Sequence, residues 1–373
     1  MTIPTFSYLT DIYFDFGAIK LLPELLKKYK VLRPLIISDK GLVELGILKK
    51  LGIDSPIVFD AVETNPTESM VLDAVELYRQ SDCDGIVAAG GGSPIDLAKC
   101  VAILINHPPP LEQYAILRNG KSKITGNMPP LIAVPTTSGS GSEVGKAALV
   151  TVAGAGKLGF LSDHLLPTAT ICDVELTIEL PPLITAATGM DAISHCVETF
   201  CSSRYNPIAD AIALDGLERG FNNITKATCN GTDRRARTEM MLCSLQGGLA
   251  FQKGLGAVHS LSHPLGALTE KRLHHGTLNA IFLPVVMRFN LNYCKEKMQV
   301  LADRLGIKKA SLLPDRFIGL NEELGLPVRL RELGLTKEEL EPLAKKAKED
   351  HCTPTNPRPL EVMDCLQLYK EAW

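Results

Sequence analysis

The chain has little net charge and no long apolar run. Among its 373 residues, 39 are lysine or arginine and 42 are aspartate or glutamate, which gives a net charge of −3. This balance provides no basic surface for a nucleic-acid backbone. No apolar run approaches the roughly 20 residues that a membrane helix needs. We therefore expect neither nucleic acid nor a membrane as a partner.

The sequence also lacks the features of an exported, disulfide-bonded protein. Residues 1–6 contain neither the charged nor the apolar block of a signal peptide. The ten cysteines occur singly, without a C-x-x-C pair, which favours reduced, mostly buried thiols over disulfides. We expect a cytoplasmic protein.

The first half of the chain alternates short apolar runs with segments of helical periodicity. The apolar runs are residues 35–39, 57–60, 85–89, 131–135 and 148–152. Such alternation predicts a Rossmann-like α/β domain, with a mostly parallel sheet covered by helices on both faces.

Strand signals nearly vanish after Pro181-Pro182. Segments with a 3.6-residue period follow one another at residues 182–201, 207–222, 234–252, 257–268 and 276–290. We therefore predict an α/β domain over residues 1–180 and an all-helical domain over residues 181–373. The longest polar stretch, residues 345–355, is interpreted as solvated surface.

Two pairs of potential metal ligands have helical spacing. Asp191 and His195 are four residues apart, and so are His259 and His263, which brings each pair onto one helix face. Alternatively, Asp191 is an acidic residue near a helix N-terminus and His195 is a hydrogen-bonded core histidine.

Another imidazole follows these pairs at His275, directly before a glycine. Asp191, His195, His259 and His275 would together supply one carboxylate and three imidazoles, a set suited to Fe(II) or Zn(II). His274 competes with His275 for the last position.

Two glycine-rich loops each follow a predicted strand. Residues 90–93, Gly-Gly-Gly-Ser, precede a helix and could bind a pyrophosphate through backbone amides. They do not form the G-x-G-x-x-G fingerprint, and the alternative is a tight turn with Ser93 as N-cap. Residues 135–143 offer hydroxyls and glycines at the carboxyl edge of the sheet, where such folds bind ligands. Asp39 ends an earlier strand and could accept from ribose hydroxyls, which favours NAD over NADP.

Several motifs together resemble those of the iron-containing (group III) alcohol dehydrogenase family, over nearly the whole chain. They are residues 90–99, 135–143, 189–198, 258–267 and 275–280, with Asn65-Pro66-Thr67, residues 205–210 and Asn356-Pro357-Arg358 in support.

The resemblance implies a dehydroquinate synthase-like architecture. In it, residues 1–180 form a dinucleotide-binding domain, residues 181–373 form a metal-binding catalytic domain, and the active site lies in the cleft between them. It implies that Asp191, His195, His259 and His275 bind the metal, that His263 is a catalytic residue beside the nicotinamide, and that Phe251 faces the substrate. The implied cofactor-binding residues are Asp39, Asn65, Gly91, Gly92, Ser93, Asp96, Thr136, Thr137, Ser140 and Lys157. A homodimer formed through the N-terminal domain is also implied.

The chain departs from the family pattern at three places. Ser140 stands where the family usually has threonine, and residues 269–274 lengthen the interval before His275. Lys253 would place a cation near the cleft, which leaves a hydroxy acid such as 4-hydroxybutyrate open as substrate.

The expected reaction is hydride transfer between NAD and a small primary alcohol, diol or hydroxy acid. Fe(II) or Zn(II) would act as a Lewis acid, and His263 would relay the proton to solvent. The alternatives are a maleylacetate-reductase-like enzyme, whose relatives lack the full ligand set, and a dehydroquinate synthase-like cyclase, which would need a denser lysine and arginine lining.

Overall fold

A computed structural model describes residues 10–373, apart from the side chain of Thr269. Residues 1–9, and with them the prediction about a signal peptide, lie outside this part of the chain. The described residues fall into two compact units, which meet in sequence between Glu179 and Leu180. Across residues 10–373, none of the helices has the length and apolarity required to cross a membrane.

The unit of residues 10–179 is built on a six-stranded parallel sheet with the order β1-β8-β5-β4-β2-β3. Its strands are β1 (Asp11–Phe14), β2 (Pro34–Ile37), β3 (Ile57–Phe59), β4 (Gly85–Gly90), β5 (Leu131–Pro135) and β8 (Ala169–Cys172). The helices of this unit are α1 (Leu22–Lys28), α2 (Lys40–Glu44), α3 (Glu68–Gln80) and α4 (Gly92–Asn106).

Alternate residues of the central strands face opposite sides of this sheet. Ile86 and Ala88 pack in one apolar cluster with residues of α3 and α4. Val87 and Ala89 pack in another with residues of α1. Because both faces are covered, these strands are apolar throughout, as parallel strands usually are. The predicted α/β fold class with a mostly parallel sheet is confirmed.

One predicted strand does not belong to this sheet. Residues 148–152 lie in β6 (Ala147–Val152), which pairs in antiparallel fashion with β7 (Gly156–Leu161) as a separate hairpin. The side chains of Ala148 and Val150 are buried beside α4, since β6 alternates buried and half-buried positions.

The unit Leu180–Trp373 is helical throughout. Its α-helices are α5 (Pro182–Cys201), α6 (Pro207–Cys229), α7 (Arg234–Ala250), α8 (Ala257–Gly266), α9 (His275–Asn290), α10 (Lys295–Arg304), α11 (Leu313–Glu323), α12 (Lys337–Leu340), α13 (Leu343–Glu349) and α14 (Val362–Ala372). One extended apolar core joins them.

Glycines allow three of these helices to approach α5 closely. A Cβ atom on Gly276 of α9 would lie 2.1 Å from the carbonyl oxygen of Ala187 in α5. A Cβ atom on Gly247 of α7 would lie 3.0 Å from Cβ of His195. A Cβ atom on Gly220 of α6 would lie 2.9 Å from Cγ1 of Ile193. The contact at Gly276 limits how near α9 comes to α5.

We expect Gly276→Ala to destabilise the helical unit, because the added methyl group meets backbone atoms that cannot rotate away. Overpacking of this kind costs about 2 kcal/mol, which corresponds to a melting temperature lowered by about 5 °C. Circular dichroism during heating measures the shift.

Gly319→Ala is the matched control, since a Cβ there would lie no closer than 4.0 Å to the side chain of Arg316. It lies within α11, so alanine should leave the melting temperature unchanged or raise it. Equal shifts in the two variants would contradict the close approach of α9 and α5.

Candidate functional site

Helix α5 presents two polar side chains from its middle. Asp191 and His195 are four residues apart and only 5% and 4% exposed. The alternative that Asp191 is stabilised at a helix N-terminus is wrong, because α5 begins at Pro182. A buried carboxylate in this position needs partners other than the helix itself.

Three imidazoles surround this carboxylate. The Nε2 atoms of His195, His259 and His275 lie 3.8, 3.7 and 3.6 Å, respectively, from Oδ1 of Asp191. His275 is the first residue of α9, whereas His274 is the N-cap residue that precedes the helix. The structure thus brings together the four predicted metal ligands, with His275 rather than His274 as the fourth.

Asn279 contacts three of these four side chains. Its amide nitrogen donates to Oδ1 of Asp191 at 2.7 Å and lies 3.1 Å from Nε2 of both His259 and His275. The ligand-type atoms therefore lie close together, and one carboxylate with three imidazoles fits a divalent cation.

Glu198 fixes the orientation of one of these imidazoles. Nδ1 of His259 donates to Oε2 of Glu198 at 2.5 Å, and the backbone amide of Val258 donates to Oε1 at 2.7 Å. With its proton on Nδ1, His259 turns an unprotonated Nε2 towards Asp191. A carboxylate behind a histidine is the usual support of a metal-binding imidazole.

His263 lies one turn after His259, and its partner comes from a distant part of the chain. Nδ1 of His263 lies 2.9 Å from Oδ2 of Asp350. The His263 ring stacks on that of His275, with ring centroids 5.5 Å apart and planes at 13°. His263 is therefore beside the ligand cluster but has its own carboxylate partner.

Phe251, the predicted substrate residue, contacts the ligand cluster. Its ring meets the edge of the His195 ring, with the centroids 5.4 Å apart. Phe251 is half-buried, so it forms an apolar wall beside a potential metal ligand.

The expectation that Lys253 adds a cation to the active site is wrong. Its ammonium group is buried, forms an ion pair with Asp210 and donates to the carbonyl oxygen of Phe200 at 3.1 Å. Burial lowers the pKa of Lys253 to about 8, and these partners hold the side chain within the helical unit.

In the α/β unit, the predicted cofactor residues gather at one edge of the sheet. Strands β2, β4 and β5 are parallel neighbours. The residues that follow their carboxyl ends are Asp39 after β2, Gly91, Gly92 and Ser93 after β4, and Thr136, Thr137 and Ser140 after β5. This is the edge at which open α/β sheets bind ligands.

The first turn of α4 is open for an anion. Its N-cap residue is Gly91, not Ser93, so the alternative with Ser93 as N-cap is wrong. A Cβ atom on Gly92 would lie 2.8 Å from Cβ of Ser140, so glycine is needed where this loop meets the next one. Because Gly91 has no side chain to cap the helix, backbone amides remain for a phosphate.

Asp39 does more than end a strand. It is the N-cap residue of α2, and its Oδ1 accepts from the backbone amide of Leu42 at 3.0 Å. Burial raises the pKa of Asp39 above its usual value. One carboxylate oxygen of Asp39 thus caps α2, and this cap keeps the carboxylate at the carboxyl edge of the sheet.

The remaining cofactor candidates support the neighbouring loops. Nζ of Lys157 donates to Oδ1 of Asn65 at 2.8 Å, which joins two predicted residues 92 positions apart. Asp96 accepts from Oγ of Ser142 at 2.5 Å and from the amide of Leu149 at 3.0 Å. Both carboxylate oxygens of Asp96 are therefore bonded to the loop and hairpin that follow β5.

Sequence reasoning missed Glu198, Asn279 and Asp350. Glu198 lies three residues after His195, so helical spacing could have placed it on the ligand face. Asn279 follows His275 by four residues and carries the same signal. Asp350 has no local signal, because 87 residues separate it from His263.

Comparison with known proteins identifies the family. A model of the family described as iron-containing alcohol dehydrogenase matches residues 10–174, and one described as the C-terminal part of the Fe-containing alcohol dehydrogenase family matches residues 185–373. The chain belongs to the iron-containing alcohol dehydrogenase family. The predicted family and an alcohol dehydrogenase activity are confirmed.

Relatives and solved structures match over nearly the full length. The chain is 47% identical to a 4-hydroxybutyrate dehydrogenase of Cupriavidus necator, with 98% of each protein covered. The crystal structure of a 1,3-propanediol oxidoreductase matches with a TM-score of 0.92 and 33% identity, over 99% of this chain and 100% of that one. A sulfoacetaldehyde reductase from Bifidobacterium kashiwanohense, crystallised with NAD+, matches with a TM-score of 0.89 and 27% identity, over 100% and 99% of the two chains.

We expect Glu198→Gln to weaken metal binding without unfolding the protein. Glutamine keeps the shape of the side chain but loses the charge that supports His259. Loss of such a partner lowers metal affinity by about 10–100-fold. Competition with a chelator, followed by elemental analysis, measures the affinity.

Glu239→Gln provides a matched control, since Glu239 of α7 forms its ion pair with Arg219 of α6. This variant should bind metal as the wild type does. If Glu198→Gln binds metal equally well, Glu198 does not support a metal ligand.

Proposed function

We propose that this enzyme binds Fe(II), with Zn(II) as the alternative, through Asp191, His195, His259 and His275. The observation that carries the proposal is the convergence of three Nε2 atoms within 3.6–3.8 Å of one buried carboxylate oxygen. The iron-containing family supports the choice of metal. The complete ligand set also favours this function over a maleylacetate-reductase-like one.

The metal would supply a Lewis acid for the substrate oxygen, and NAD would supply the hydride acceptor. The chain contributes the positions of the other groups. Glu198 holds His259 in one tautomer, and Phe251 excludes water on the side of His195. Asp350 orients His263, which we propose takes the hydroxyl proton towards solvent.

We propose that NAD binds at the carboxyl edge of the sheet. The open first turn of α4 would take the pyrophosphate, with Gly91, Gly92 and Ser93 as the binding residues. Asp39 would accept from the adenosine ribose and repel the phosphate of NADP. Further contacts would come from Asn65, Thr136, Thr137, Ser140 and Lys157. Asp96 would act by holding the loop that carries Ser140.

We propose an ω-hydroxy acid of the 4-hydroxybutyrate type as the substrate. The support is the 47% identity to a 4-hydroxybutyrate dehydrogenase over 98% of both proteins. Lys253 plays no direct part in this choice, because its partners are Asp210 and Phe200. The homodimer and the cytoplasmic location stay predictions.

The direct test is NADH formation by the purified enzyme with 4-hydroxybutyrate, followed by absorbance. We expect kcat/KM to exceed that for 1-butanol about tenfold or more, since a hydrogen bond to a charged group contributes ~1.5–3 kcal/mol. Removal of the metal with a chelator should abolish activity, and Fe(II) should restore it.

The outcomes separate the parts of this proposal. Equal activity on 1-butanol would reject a hydroxy acid as the preferred class. Full activity after metal removal, confirmed by elemental analysis, would reject metal-dependent chemistry.

We expect Asp39→Asn to weaken the preference for NAD over NADP. Asparagine caps a helix as well as aspartate does, so α2 should persist while the negative charge is lost. Loss of a repulsion of ~1 kcal/mol or more changes the ratio of the two kcat/KM values by about fivefold or more. Steady-state kinetics with both cofactors measures the ratio.

Asp15→Asn, at an exposed position of the same unit, is the control and should leave the ratio unchanged. An unchanged ratio in Asp39→Asn would remove this residue from cofactor selection.

A further inference from the structure

A second cluster of ligand-type side chains lies beside the proposed catalytic metal site. His263, Asp350, His351 and Cys352 each offer one donor atom, and these four atoms lie within 4.8 Å of one another. The same limit contains the donor atoms of Asp191, His195 and His259. The second cluster is therefore as compact as the three-residue core of the first.

The stretch that supplies three of these residues was interpreted as solvated surface from its sequence. That interpretation is wrong for its second half, because Cys352 is 4% exposed and the side chain of Asp350 is 9% exposed. The loop after α13 turns inward at this point and meets α8 at His263. Polar side chains that are buried together need partners or a ligand.

Asp350 is the centre of the cluster. Its Oδ2 lies 2.9 Å from Nδ1 of His263 and 3.6 Å from Nδ1 of His351, while its Oδ1 accepts from the amide of Cys352 at 2.8 Å. Although burial opposes ionisation, the two imidazoles hold the pKa of Asp350 below its usual value. A carboxylate is thus present among two imidazoles and a thiol.

The two imidazoles share one orientation. The rings of His263 and His351 are nearly parallel, with planes at 10° and centroids 5.4 Å apart, and both turn Nδ1 towards the same carboxylate oxygen. The side chain of His351 is 22% exposed, whereas that of His263 is 4% exposed. His351 therefore gives a small ion from solvent a path to the buried donors.

The donor types indicate which ion would bind. Two imidazoles, a thiolate and a carboxylate suit Zn²⁺ or Co²⁺, whereas Mg²⁺ and Ca²⁺ prefer oxygen ligands. Burial raises the pKa of Cys352 well above its usual value, so without a metal the residue is a thiol. A bound cation would offset the cost of burying the thiolate charge, because a thiol that coordinates a metal ion loses its proton.

We propose that His263, Asp350, His351 and Cys352 form a second metal site, specific for Zn²⁺-type ions, whose occupancy inhibits the enzyme. Binding there takes Nδ1 of His263 from Asp350, so that the imidazole proton moves to Nε2, and it releases the thiol proton of Cys352 to solvent. The inhibitory effect rests on the proposed role of His263 in proton transfer. The binding itself does not depend on that role.

Cobalt is a probe that separates the two sites. The proposed catalytic site has no sulfur ligand, so a thiolate-to-cobalt charge-transfer band in the near ultraviolet reports only the second site. We expect the band when Co²⁺ is added to the purified enzyme that retains its own metal. Elemental analysis after desalting should then show one additional metal ion per chain.

Cys352→Ser and His351→Asn test the ligands. The band and the additional ion should be lost in Cys352→Ser, and binding should weaken in His351→Asn. Cys229→Ser is the matched control, because Cys229 is an exposed thiol and its loss should leave the band intact. Wild-type enzyme without the band at saturating Co²⁺, or Cys352→Ser enzyme that retains it, would overturn the proposal.

Inhibition is measured separately. Zn²⁺ should lower the turnover of the wild type about 100-fold, the usual contribution of a general acid–base group, and much less in Cys352→Ser. Zn²⁺ inhibition that is equal in both would overturn an inhibitory role for this site. Should the catalytic metal proposal fail, the cobalt band would still appear in an enzyme that contains no other metal, so the two failures are distinguishable.

Discussion

The helical unit depends on one buried carboxylate shared by three imidazoles. Asp191 is 5% exposed and lies in the middle of α5, where no helix terminus offsets its charge. A lone buried carboxylate is costly. Asn279 of α9 donates to this oxygen at 2.7 Å, and histidines of α5, α8 and α9 surround it at a point where a divalent cation would neutralise its charge. The close approach of α9 at Gly276 is therefore tied to the site, since a longer helix separation would leave Asp191 with fewer partners.

Carboxylates that contact Nδ1 orient two of the imidazoles. Glu198 binds Nδ1 of His259, and Asp350 binds Nδ1 of His263. These two histidines lie one turn apart on α8, yet their outer nitrogens go to different carboxylates, one on α5 and one in the loop after α13. The same side-chain type thus acquires two environments from its partners. This difference supports a ligand role for His259 and a proton-transfer role for His263.

Much of the helical unit and its central cluster was predictable from sequence. Helix α5 covers residues 182–201 as predicted, because Pro181-Pro182 sets its start and its periodicity is long. The ligand pairs at four-residue spacing could also be recognised, because residues four apart lie on one face of a helix. Short strands with mixed polarity, such as β1 with Asp-Ile-Tyr-Phe, gave no comparable signal. The hairpin of β6 and β7 was missed because alternation does not reveal which strand is the neighbour.

Contacts between distant parts of the chain could not be read in this way. Lys253 was expected to place a cation near the cleft, since the sequence does not reveal that Asp210 lies within reach of its ammonium group. The burial of Asp350 and Cys352 was hidden by the polar residues before them. In both cases a charged residue looked solvent-exposed because its partner is 43 or 87 residues away. Sequence periodicity predicts one helix or strand at a time, whereas the burial of a charge depends on another segment that supplies its partner.

The charges of the two clusters explain why only one of them suits catalysis. A divalent ion held by Asp191 and three neutral imidazoles keeps about one unit of positive charge, so it can stabilise the negative charge that develops on a substrate oxygen. A divalent ion held by Asp350, the Cys352 thiolate and two imidazoles would be neutral, so it would be a weaker Lewis acid than an ion that keeps positive charge. The two clusters share a border, where the rings of His263 and His275 stack, and the second has a thiol in place of one imidazole. On the proposals made above, that thiol distinguishes a site that would activate a substrate from one that would only bind His263.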